Sequence, residues 1–581
     1  MGCKHSLPTA GHKPRDPISR HVKYHLHRLS ESPALPPDLI QYIALFLPDS
    51  KTFFVFLQAF TKAKHIVGDL WHLHQLSRKL PHKDLWPRLR LRSRAHVELF
   101  CLLKHLRSFY PVVEVSGAFD LMSLDAALAP STVLHIAVRH QSVSSDWLQS
   151  WATLPIESLD MQLLDSPNVG QWAIDVLPTL THLTTLLLGT CHPKSRAQVD
   201  ALFAFLPRSN VTRFTMVASV QHSETSLGQI TQWLCTRPVE YFGFGKWSFD
   251  SVVDLLPRFY DALLRCPTLT HLSLHHEKLP RLCDITIPKA TSLRTVEIDS
   301  CDLVPVAITG IYGALSHVRF FKLIVPFANT AWGQSLPGLT KGMTRLIQLE
   351  IHGLVHEYME TLCKALQSSA IETLILNGYA KPTSTDGLNF GLDILGQSIP
   401  TCPRLRHLQL SNIALNKSHV KLFGQGIIKA QLVSLKLVSC VGIAFVPTLA
   451  PFLAQSSLQH LTLSYNQVEF ADRSTLRMVF AHIFANANLK SAAFGSNYMG
   501  DDGVVILGTI LHVNSHLREL HLEHNDISAK AAASLIGMLG RRPSPLLVLN
   551  LKLNNIEKRD HAQLLRLARN QSQDIACVVL E

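Results

Sequence analysis

Apolar residues recur along most of the chain in one short frame, in which the first, fourth and sixth positions are apolar. The clearest copies begin at Leu458 and Leu517 and end at Asn466 and Asn525. Copies of the frame start at positions 133, 156, 183, 211, 239, 269, 293, 318, 346, 371, 405, 432, 458, 489, 517, 546 and 575. Their mean spacing is about 28 residues, and such regularity indicates a structural repeat. Because alternate side chains of a strand share one face, each copy predicts a short strand with an apolar interior side.

The segments between these copies have helical spacing. Residues 502–511 and 528–539 are two examples, each apolar on one side and long enough for about three turns. The chain therefore predicts a series of about 16 strand–helix units, each of which buries its apolar edge against its neighbours.

The ninth position of the frame carries a second regularity. Asn occupies it at 466, 497, 525 and 554, and Cys occupies it at 191, 301 and 440. An Asn side chain can bond backbone groups left unpaired where the chain leaves a strand. A small buried thiol can take the same place.

The frame, its period and its ninth position resemble the ribonuclease-inhibitor-like class of leucine-rich-repeat proteins, over residues 112–581. The resemblance implies an α/β fold, a leucine-rich-repeat solenoid with a curved parallel sheet inside and helices outside. We expect a basic N-terminal tail at 1–32, a small all-α region with a cap at 33–110, and the solenoid at 111–581.

The segment 35–57 predicts two apolar helices separated by a break at Pro48-Asp49, with Asp49 or Ser50 as the second N-cap. It resembles an F-box, the motif that docks to the Skp adaptor of SCF ubiquitin ligases. That resemblance implies an adaptor-facing surface, although the chain reads Ala59-Phe60 followed by Thr-Lys-Ala where the motif usually closes with a Val-Cys-like step and an aromatic residue, often Trp. The alternative is a helical hairpin that only caps the repeats. The implied adaptor-binding residues are Leu35, Pro36, Leu39, Ile43, Leu47 and Phe53.

The first six residues match the Met-Gly-x-x-x-Ser pattern of N-myristoylation, which makes Gly2 the candidate acceptor. Stable anchoring needs a second signal, and either palmitate on Cys3 or the basic residues that follow would supply it at an anionic membrane surface. The alternative is a basic tail that matches a short pattern by chance.

The composition is that of a well-cored globular chain, 47% hydrophobic and 17% charged. Of the net charge of +12, +11 falls in residues 1–110, which hold 18 Lys and Arg against 7 Asp and Glu. No apolar run approaches the ~20 residues of a membrane span, and no secretory signal is expected. Eleven cysteines without a Cys-x-x-Cys pair favour reduced thiols. We expect the cytoplasm, with the inner face of a membrane if acylated and the nucleus left open.

No constellation for catalysis, cofactor or metal is found, so we predict a protein that is not an enzyme. The alternating arginines from Arg88 to Arg94 lie on one side of an extended segment, which favours a solvated edge or acidic partners over nucleic acid. His21, His25 and His27 lack ligand spacing.

The residues between the apolar positions of each frame predict the concave, partner-binding face. This strip is polar and mixed in sign, which suits a protein partner. The leading hypothesis is an F-box/leucine-rich-repeat substrate receptor that holds a client protein near a ubiquitin ligase. The alternative is a scaffold or regulator, resembling a Ran GTPase-activating protein, without a ligase link. The candidate partner-binding residues are His271, His275, Glu297, Asp299, Glu350, His352, His407, Gln409, His460, Glu519, His521, Glu523 and Lys552.

Overall fold

The structure is a computed structural model, and the chain divides into two compact units, Met1–Asp160 and Met161–Glu581. The structure describes residues 36–47, 49–60, 64–78, 80–92, 105–106, 109–116, 121–139, 150–162, 175–189, 195–285, 291–301, 312, 316–325, 338, 341–353, 358–378, 391–413, 417–440, 445–466, 473–570, 575 and 577–580.

The described residues form strands and α-helices that alternate through most of the chain. The helices are α1 Pro37–Leu45, α2 Ser50–Ala59, α3 Lys64–Val67, α4 Leu70–Leu76, α5 His82–Leu85, α6 Leu121–Ala127, α7 Arg196–Phe205, α8 Glu224–Thr236, α9 Leu256–Arg265, α10 Met359–Gln367, α11 Leu392–Ser398, α12 Lys417–Lys429, α13 Phe445–Ala454, α14 Arg473–Phe484, α15 Gly500–Leu511, α16 Ala529–Leu539 and α17 Lys558–Asn570. The strands are β1 Leu89–Leu91, β2 Val112–Ser116, β3 Val133–Arg139, β4 Ile156–Gln162, β5 Thr185–Leu188, β6 Arg213–Gln221, β7 Tyr241–Ser248, β8 His271–His275, β9 Thr295–Asp299, β10 Phe320–Ile324, β11 Gln348–His352, β12 Thr373–Asn377, β13 His407–Ser411, β14 Ser434–Val438, β15 His460–Ser464, β16 Ser491–Ala493, β17 Glu519–His521, β18 Val548–Asn550 and β19 Val578–Val579.

The first unit contains helices α1–α6 and a parallel sheet in which β1 pairs with β2 and β2 with β3. Helix α2 begins as the sequence predicts, because Asp49 accepts a hydrogen bond from the Thr52 N–H at 2.8 Å. Its buried Phe53 ring stacks on Trp86, with ring centroids 4.0 Å apart. The Trp86 indole N–H in turn donates to the Leu47 carbonyl at 2.7 Å, which fixes the end of α1.

One expectation for this unit is wrong. Residues 33–110 are not all α-helical, because Leu89–Leu91 forms β1 and pairs in parallel with β2. Leu89 and Leu91 are buried and the arginines between and beside them are not, as the alternation predicts. Sheet pairing therefore begins before residue 111.

The second unit is built from repeating strand–helix units. Its strands β5–β18 are paired in sequence order and in parallel, for example β12 with β13 and β14 with β15. Second and fourth strand residues are buried, whereas the first, third and fifth are mostly half-buried or exposed. Neighbouring helices pack on one another, and at α11 and α12 the backbones of Gly396 and Gly426 approach so closely that a methyl group at Gly426 would meet the Gly396 carbonyl.

The repeat frame locates the strands correctly. From β3 to β19, a strand begins within three residues of every frame start predicted from the sequence. The predicted helices at 502–511 and 528–539 correspond to α15 and α16, whose interior faces include Leu507 and Leu535. These observations confirm the α/β leucine-rich-repeat architecture.

The ninth-position side chains join successive repeats through a ladder of hydrogen bonds. In three steps an Asn carboxamide oxygen accepts from the backbone N–H of the preceding ladder Asn, from Asn466 through Asn497 and Asn525 to Asn554, at 2.8–3.1 Å. Each carboxamide NH₂ also donates to a carbonyl near the end of the preceding strand, such as Leu463 for Asn497. The predicted role of these asparagines is thus confirmed.

Cysteines take the same place in two described repeats. Cys440 is buried, its N–H donates to Asn466 Oδ1 at 2.8 Å, and its thiol lies 3.6 Å from the Leu410 carbonyl. Burial raises the pKa of both the Cys440 and the Cys301 thiol to about 12. Cys191 lies outside the described residues.

Glu277 occupies the ninth position of the β8 repeat, which the sequence reading did not anticipate. Its Oε1 accepts the N–H of Trp247, the ninth residue of the preceding frame, at 2.6 Å. The carboxyl is almost completely buried, and burial raises its pKa to about 8. A neutral carboxyl can therefore replace the carboxamide of the other repeats.

Candidate protein-interaction surfaces

The polar side of the repeat sheet is the largest candidate surface of the second unit. We call it the open face and define it by the first, third and fifth residues of β8–β18. Where a strand has only three residues, the fifth position is the second residue after the strand ends. Strand register places these positions in three rows, one of which runs Ser273, Glu297, Lys322, Glu350. The thirteen side chains that the sequence assigns to partner binding all lie at these positions, but their binding role stays a prediction.

Strands β8–β11 carry an acidic cluster on the open face. The Glu350 carboxylate is 2.7 Å from His352 Nε2 and 3.4 Å from Lys322 Nζ. The hydrogen bond from His352 and the nearby Lys322 ammonium hold the pKa of Glu350 below its usual range. Glu297 is the register partner of Lys322 on β9, and Asp299 follows two residues later, so this part of the face holds three carboxylates and one lysine and is negative.

Three residues of this cluster have the order of a Ser-His-Asp triad. Ser273 Oγ lies 2.8 Å from His275 Nε2, and His275 Nδ1 lies 3.4 Å from Asp299 Oδ2. A nucleophilic serine must reach a substrate carbonyl, but Ser273 is buried and also hydrogen-bonds to Glu297. The contacts therefore orient His275 and Asp299 on the face and do not form an accessible nucleophile.

Two residues of this surface escaped the sequence reading. β10 presents Phe320, which is exposed, and Lys322, both at open-face positions. In the frame that starts at 318, Phe320 and Phe321 are both aromatic, so the sequence does not show which ring is buried. The register with β9 and β11 places Phe320 on the open face and Phe321 in the interior.

The central strands β13–β15 have the opposite charge. Lys436 is exposed between Gln409 and Thr462, and His407 and His460 occupy the first positions of the same neighbouring strands. Partial burial and the nearby His460 and Lys436 keep the pKa of His407 below its usual value. The open face thus alternates in sign along the repeats, which favours a partner with patterned charge.

A second acidic group lies on β17 and its continuation. Glu523 Oε1 lies 3.6 Å from His521 Nδ1, and this carboxylate raises the pKa of His521. Burial alone would raise the pKa of Glu523, but His521 and Lys552 bring it below its usual range. The side chain of Glu519 is more exposed, and its Oε2 lies 3.8 Å from His521 Nε2.

Several bulky residues near this group have left-handed backbones. Tyr465, Tyr498, His524 and Leu553 have φ angles between 53° and 56°. All four are exposed, Leu553 to 77%. A left-handed conformation costs a residue with a Cβ about 1–2 kcal/mol, so large side chains are uncommon there.

The first unit has a candidate surface on helix α1. Leu39, Tyr42, Ile43 and Phe46 follow the spacing of one helical face, and all are exposed, Tyr42 to 58% and Phe46 to 68%. Of the predicted adaptor-binding residues, Pro36, Leu39 and Ile43 are exposed and Leu47 is half-buried. Phe53 is completely buried and supports α2, so it offers no side-chain surface, and Leu35 lies outside the described residues.

The basic stripe of the first unit is paired with acidic side chains. Arg90 Nε lies 2.7 Å from Glu114 Oε2, Arg88 also contacts Glu114, and Arg92 lies 3.0 Å from Asp84. Partial burial would raise the pKa of Glu114, but Arg90 and Arg88 hold it below its usual range. The stripe is thus partly neutralised within the unit.

One group of potential metal ligands lies among the described residues, namely Asp69, His72 and His105. The imidazole rings of the two histidines stack with centroids 4.6 Å apart and planes at 21°. Lone pairs on nearly parallel rings run side by side and do not converge on a shared ion at Zn²⁺ distances. This arrangement does not constitute a preformed metal site.

None of the helices that the structure describes is both long and apolar enough to cross a lipid bilayer. Gly2 and Cys3, the candidate lipidation sites, lie outside the described residues, as do His21, His25 and His27.

Comparison with known proteins gives distant likenesses. No protein family model matches the chain. The human "NACHT, LRR and PYD domains-containing protein 14" is 24% identical over 319 residues, which are 48% of this chain and 26% of that protein. The chain thus aligns with only about a quarter of that relative's length.

Three solved structures are similar to part of the chain. TLR13 in its complex with ssRNA13 matches 78% of this chain and 60% of its own, with 13% identity and a TM-score of 0.40. A chain of the Rad7 and Elc1 complex of yeast matches 68% of this chain and 86% of its own, with 14% identity and a TM-score of 0.31. LegL7 of Legionella pneumophila matches 61% of this chain and 97% of its own, with 12% identity and a TM-score of 0.34. The assignment of this chain to the leucine-rich-repeat fold rests on its own repeated strands and its ninth-position ladder.

Proposed function

We propose that this protein is an interaction adaptor, most specifically the substrate receptor of an SCF-type ubiquitin ligase. In this proposal α1 and α2 dock the Skp adaptor, and the open face holds a client protein. The protein would perform no chemistry itself and would act by raising the client's effective concentration near the ligase.

The exposed apolar stripe of α1 is the observation that carries the proposal. A nine-residue helix with Leu39, Tyr42, Ile43 and Phe46 exposed on one face is costly in water. A helix that served only as a cap would turn its apolar face inward. Aromatic and aliphatic side chains at this spacing are the usual anchors of a helix that docks in a groove.

The open face supports the other half of the proposal. His275, Glu350 and His352 are half-buried and oriented by hydrogen bonds within the face, which keeps their geometry fixed before a partner arrives. Fixed polar groups of mixed sign give specificity more than raw affinity. This composition suits a protein client better than an apolar small molecule.

Binding of the full-length protein to purified Skp adaptor tests the ligase link. We expect direct binding in calorimetry, and we expect Leu39→Asp with Ile43→Asp to weaken it at least about 100-fold, because two buried charges would each cost several kcal/mol. Val505→Asp with Leu422→Asp, on apolar helix residues of the second unit that are 41% and 37% exposed, is the matched control.

Equal adaptor affinity of the wild type and the double variant, or no binding by the wild type, would refute the ligase link. The circular dichroism spectrum of the double variant should match that of the wild type, since both side chains are exposed. A scaffold without a ligase link would retain client binding and show no affinity for the Skp adaptor.

A further inference from the structure

The eighth position of the repeat frame is left-handed in many described repeats. Most of its occupants are small or polar, types that tolerate or favour this conformation. Tyr465 in the β15 repeat and Leu553 in the β18 repeat are the two occupants with a large aromatic or aliphatic side chain. The left-handed eighth positions are, in chain order, Lys246, His276, Ser300, Gly353, Asn412, Ser439, Tyr465, Ser496, His524 and Leu553.

Core packing does not explain these two exceptions. Tyr465 is 56% exposed and Leu553 is 77% exposed, so neither side chain fills the interior. Tyr498, two residues beyond the eighth position of the β16 repeat, is also left-handed and 64% exposed. Folding alone would favour Asn or Gly at such positions, and bulk kept there at the expense of backbone strain is typical of a functional surface.

The three side chains belong to neighbouring repeats at one edge of the sheet. The Tyr465 N–H donates to the Gly495 carbonyl, and the His524 N–H donates to the Lys552 carbonyl, so the positions are in register. Neighbouring strands lie about 4.8 Å apart, which puts Tyr465 and Leu553 about 14 Å apart across three spacings. A single extended segment of a few residues can span that distance.

The adjoining open face supplies negative charge and room. β16 and its continuation carry only small groups, Ser491, Ala493 and Gly495, beside the larger side chains of β17. The Glu523 carboxylate lies over Gly495, and Glu519 points from the same face with a half-exposed carboxylate. Asn550 already donates to Glu523 Oε1, which leaves the other Glu523 oxygen and the Glu519 carboxylate for a partner. Apolar anchors beside these groups complement a cationic, partly apolar segment.

The geometry points to a docking surface at repeats β15–β18 for an extended protein segment that presents a Lys or Arg next to a large apolar side chain. Apolar side chains of the segment pack against Tyr465, Tyr498 and Leu553, and its cations pair with Glu519 and Glu523. The inference deepens the proposed function, because it rests on the client-binding half of that proposal and names the chemistry of the client.

The probes are labelled synthetic peptides and the full-length protein, with binding followed by fluorescence anisotropy. We expect a peptide of alternating Arg and Leu to bind, and we expect peptides of Glu and Leu or of Arg and Ser to bind at least about tenfold more weakly. Glu519→Gln with Glu523→Gln should reduce Arg–Leu binding about tenfold. Glu297→Gln with Asp299→Asn, in the separate acidic cluster, is the charge control.

A second pair of variants separates docking from folding. Tyr465→Asn and Leu553→Asn should each raise the melting temperature, because Asn adopts the left-handed conformation more readily, and should each weaken peptide binding severalfold. A residue with a structural role would lower the melting temperature instead. Ser439→Asn, at the same position of the β14 repeat, is the control and should leave peptide binding unchanged.

Three outcomes would overturn the inference. These are equal binding of the Arg–Leu and Glu–Leu peptides, equal losses in the β9 and β17 charge variants, and unchanged binding by Leu553→Asn and Tyr465→Asn. Failure of Skp binding alone would refute the ligase link and leave this surface standing, since the two measurements use different ligands.

Discussion

Replacement of Asn525 by Ala tests whether the ninth-position ladder couples the repeats. Asn525 is completely buried, and its carboxamide makes four hydrogen bonds to backbone groups. Its Oδ1 accepts from the N–H groups of Asn497 and Met499 at 3.1 and 3.3 Å. Its Nδ2 donates to the carbonyls of Phe494 and Glu523 at 2.8 and 3.1 Å.

The expected loss follows from these four contacts. A hydrogen bond contributes about 1 kcal/mol net, and a buried backbone group left without its partner costs about 1–3 kcal/mol. Water entering the vacated space would recover part of this, so we expect Asn525→Ala to lower the free energy of unfolding by about 3–4 kcal/mol. Asn555→Ala, on the exposed Asn nearby, should change it by less than about 0.5 kcal/mol.

The loss should be local before it is global. In a repeat array stability is a sum of repeat and neighbour terms, so a broken contact between two repeats lets the end of the array unfold separately. Hydrogen exchange should therefore accelerate first at the Asn497 and Met499 amides and then throughout β17–β19, while urea unfolding should show an added early transition. A single transition within about 1 kcal/mol of the wild type, with protected amides, would refute the ladder as the coupling element.

Three further predictions use other parts of the chain. Glu277 is protonated in the folded protein up to a pKa of about 8 but ionises near 4.5 when unfolded, so the free energy of unfolding should fall by on the order of 5 kcal/mol as the pH rises from 4.5 to 8. Urea titrations at several pH values should show Glu277→Gln removing most of that slope. Gly426→Ala should lower the melting temperature because its methyl would meet the Gly396 carbonyl, whereas Gly537→Ala, with open space in α16, should raise it slightly. Gly2→Ala should shift the protein from the membrane to the soluble fraction, and an unchanged distribution would refute acylation.

The strand positions could be predicted because the interior of a repeat leaves the sequence little choice. A strand such as β15 must bury Leu461 and Leu463 on one face, and the chain leaving it must pair its backbone through Asn466. These requirements repeat in each unit, so a chance match at one copy is corrected by the others. The same redundancy located β3–β19 in spite of the Phe, Val and Met substitutions in the earlier repeats.

Features without such repetition could not be predicted. Glu277 resembles an ordinary surface carboxylate in the sequence, and only its burial beside Trp247 reveals its place in the ladder. β1 is a single short strand with no neighbouring copy of the frame, so the sequence did not predict that this arginine-rich segment pairs with β2. Phe53 matched the apolar spacing of a docking motif, but stacking on Trp86 turned it inward.

The open face differs from the interior because folding leaves its residues largely unconstrained. An Asn at the ninth position is explained by the backbone groups it pairs, and therefore carries no information about a partner. Leu553 is not explained in this way, because its exposed side chain does not fill the interior and its left-handed backbone is unfavourable for a leucine. The alternating charge along β8–β18 is likewise not required by the sheet, whose strands pair through backbone groups. The residues that the fold does not explain are therefore the ones from which the partner's chemistry is best inferred.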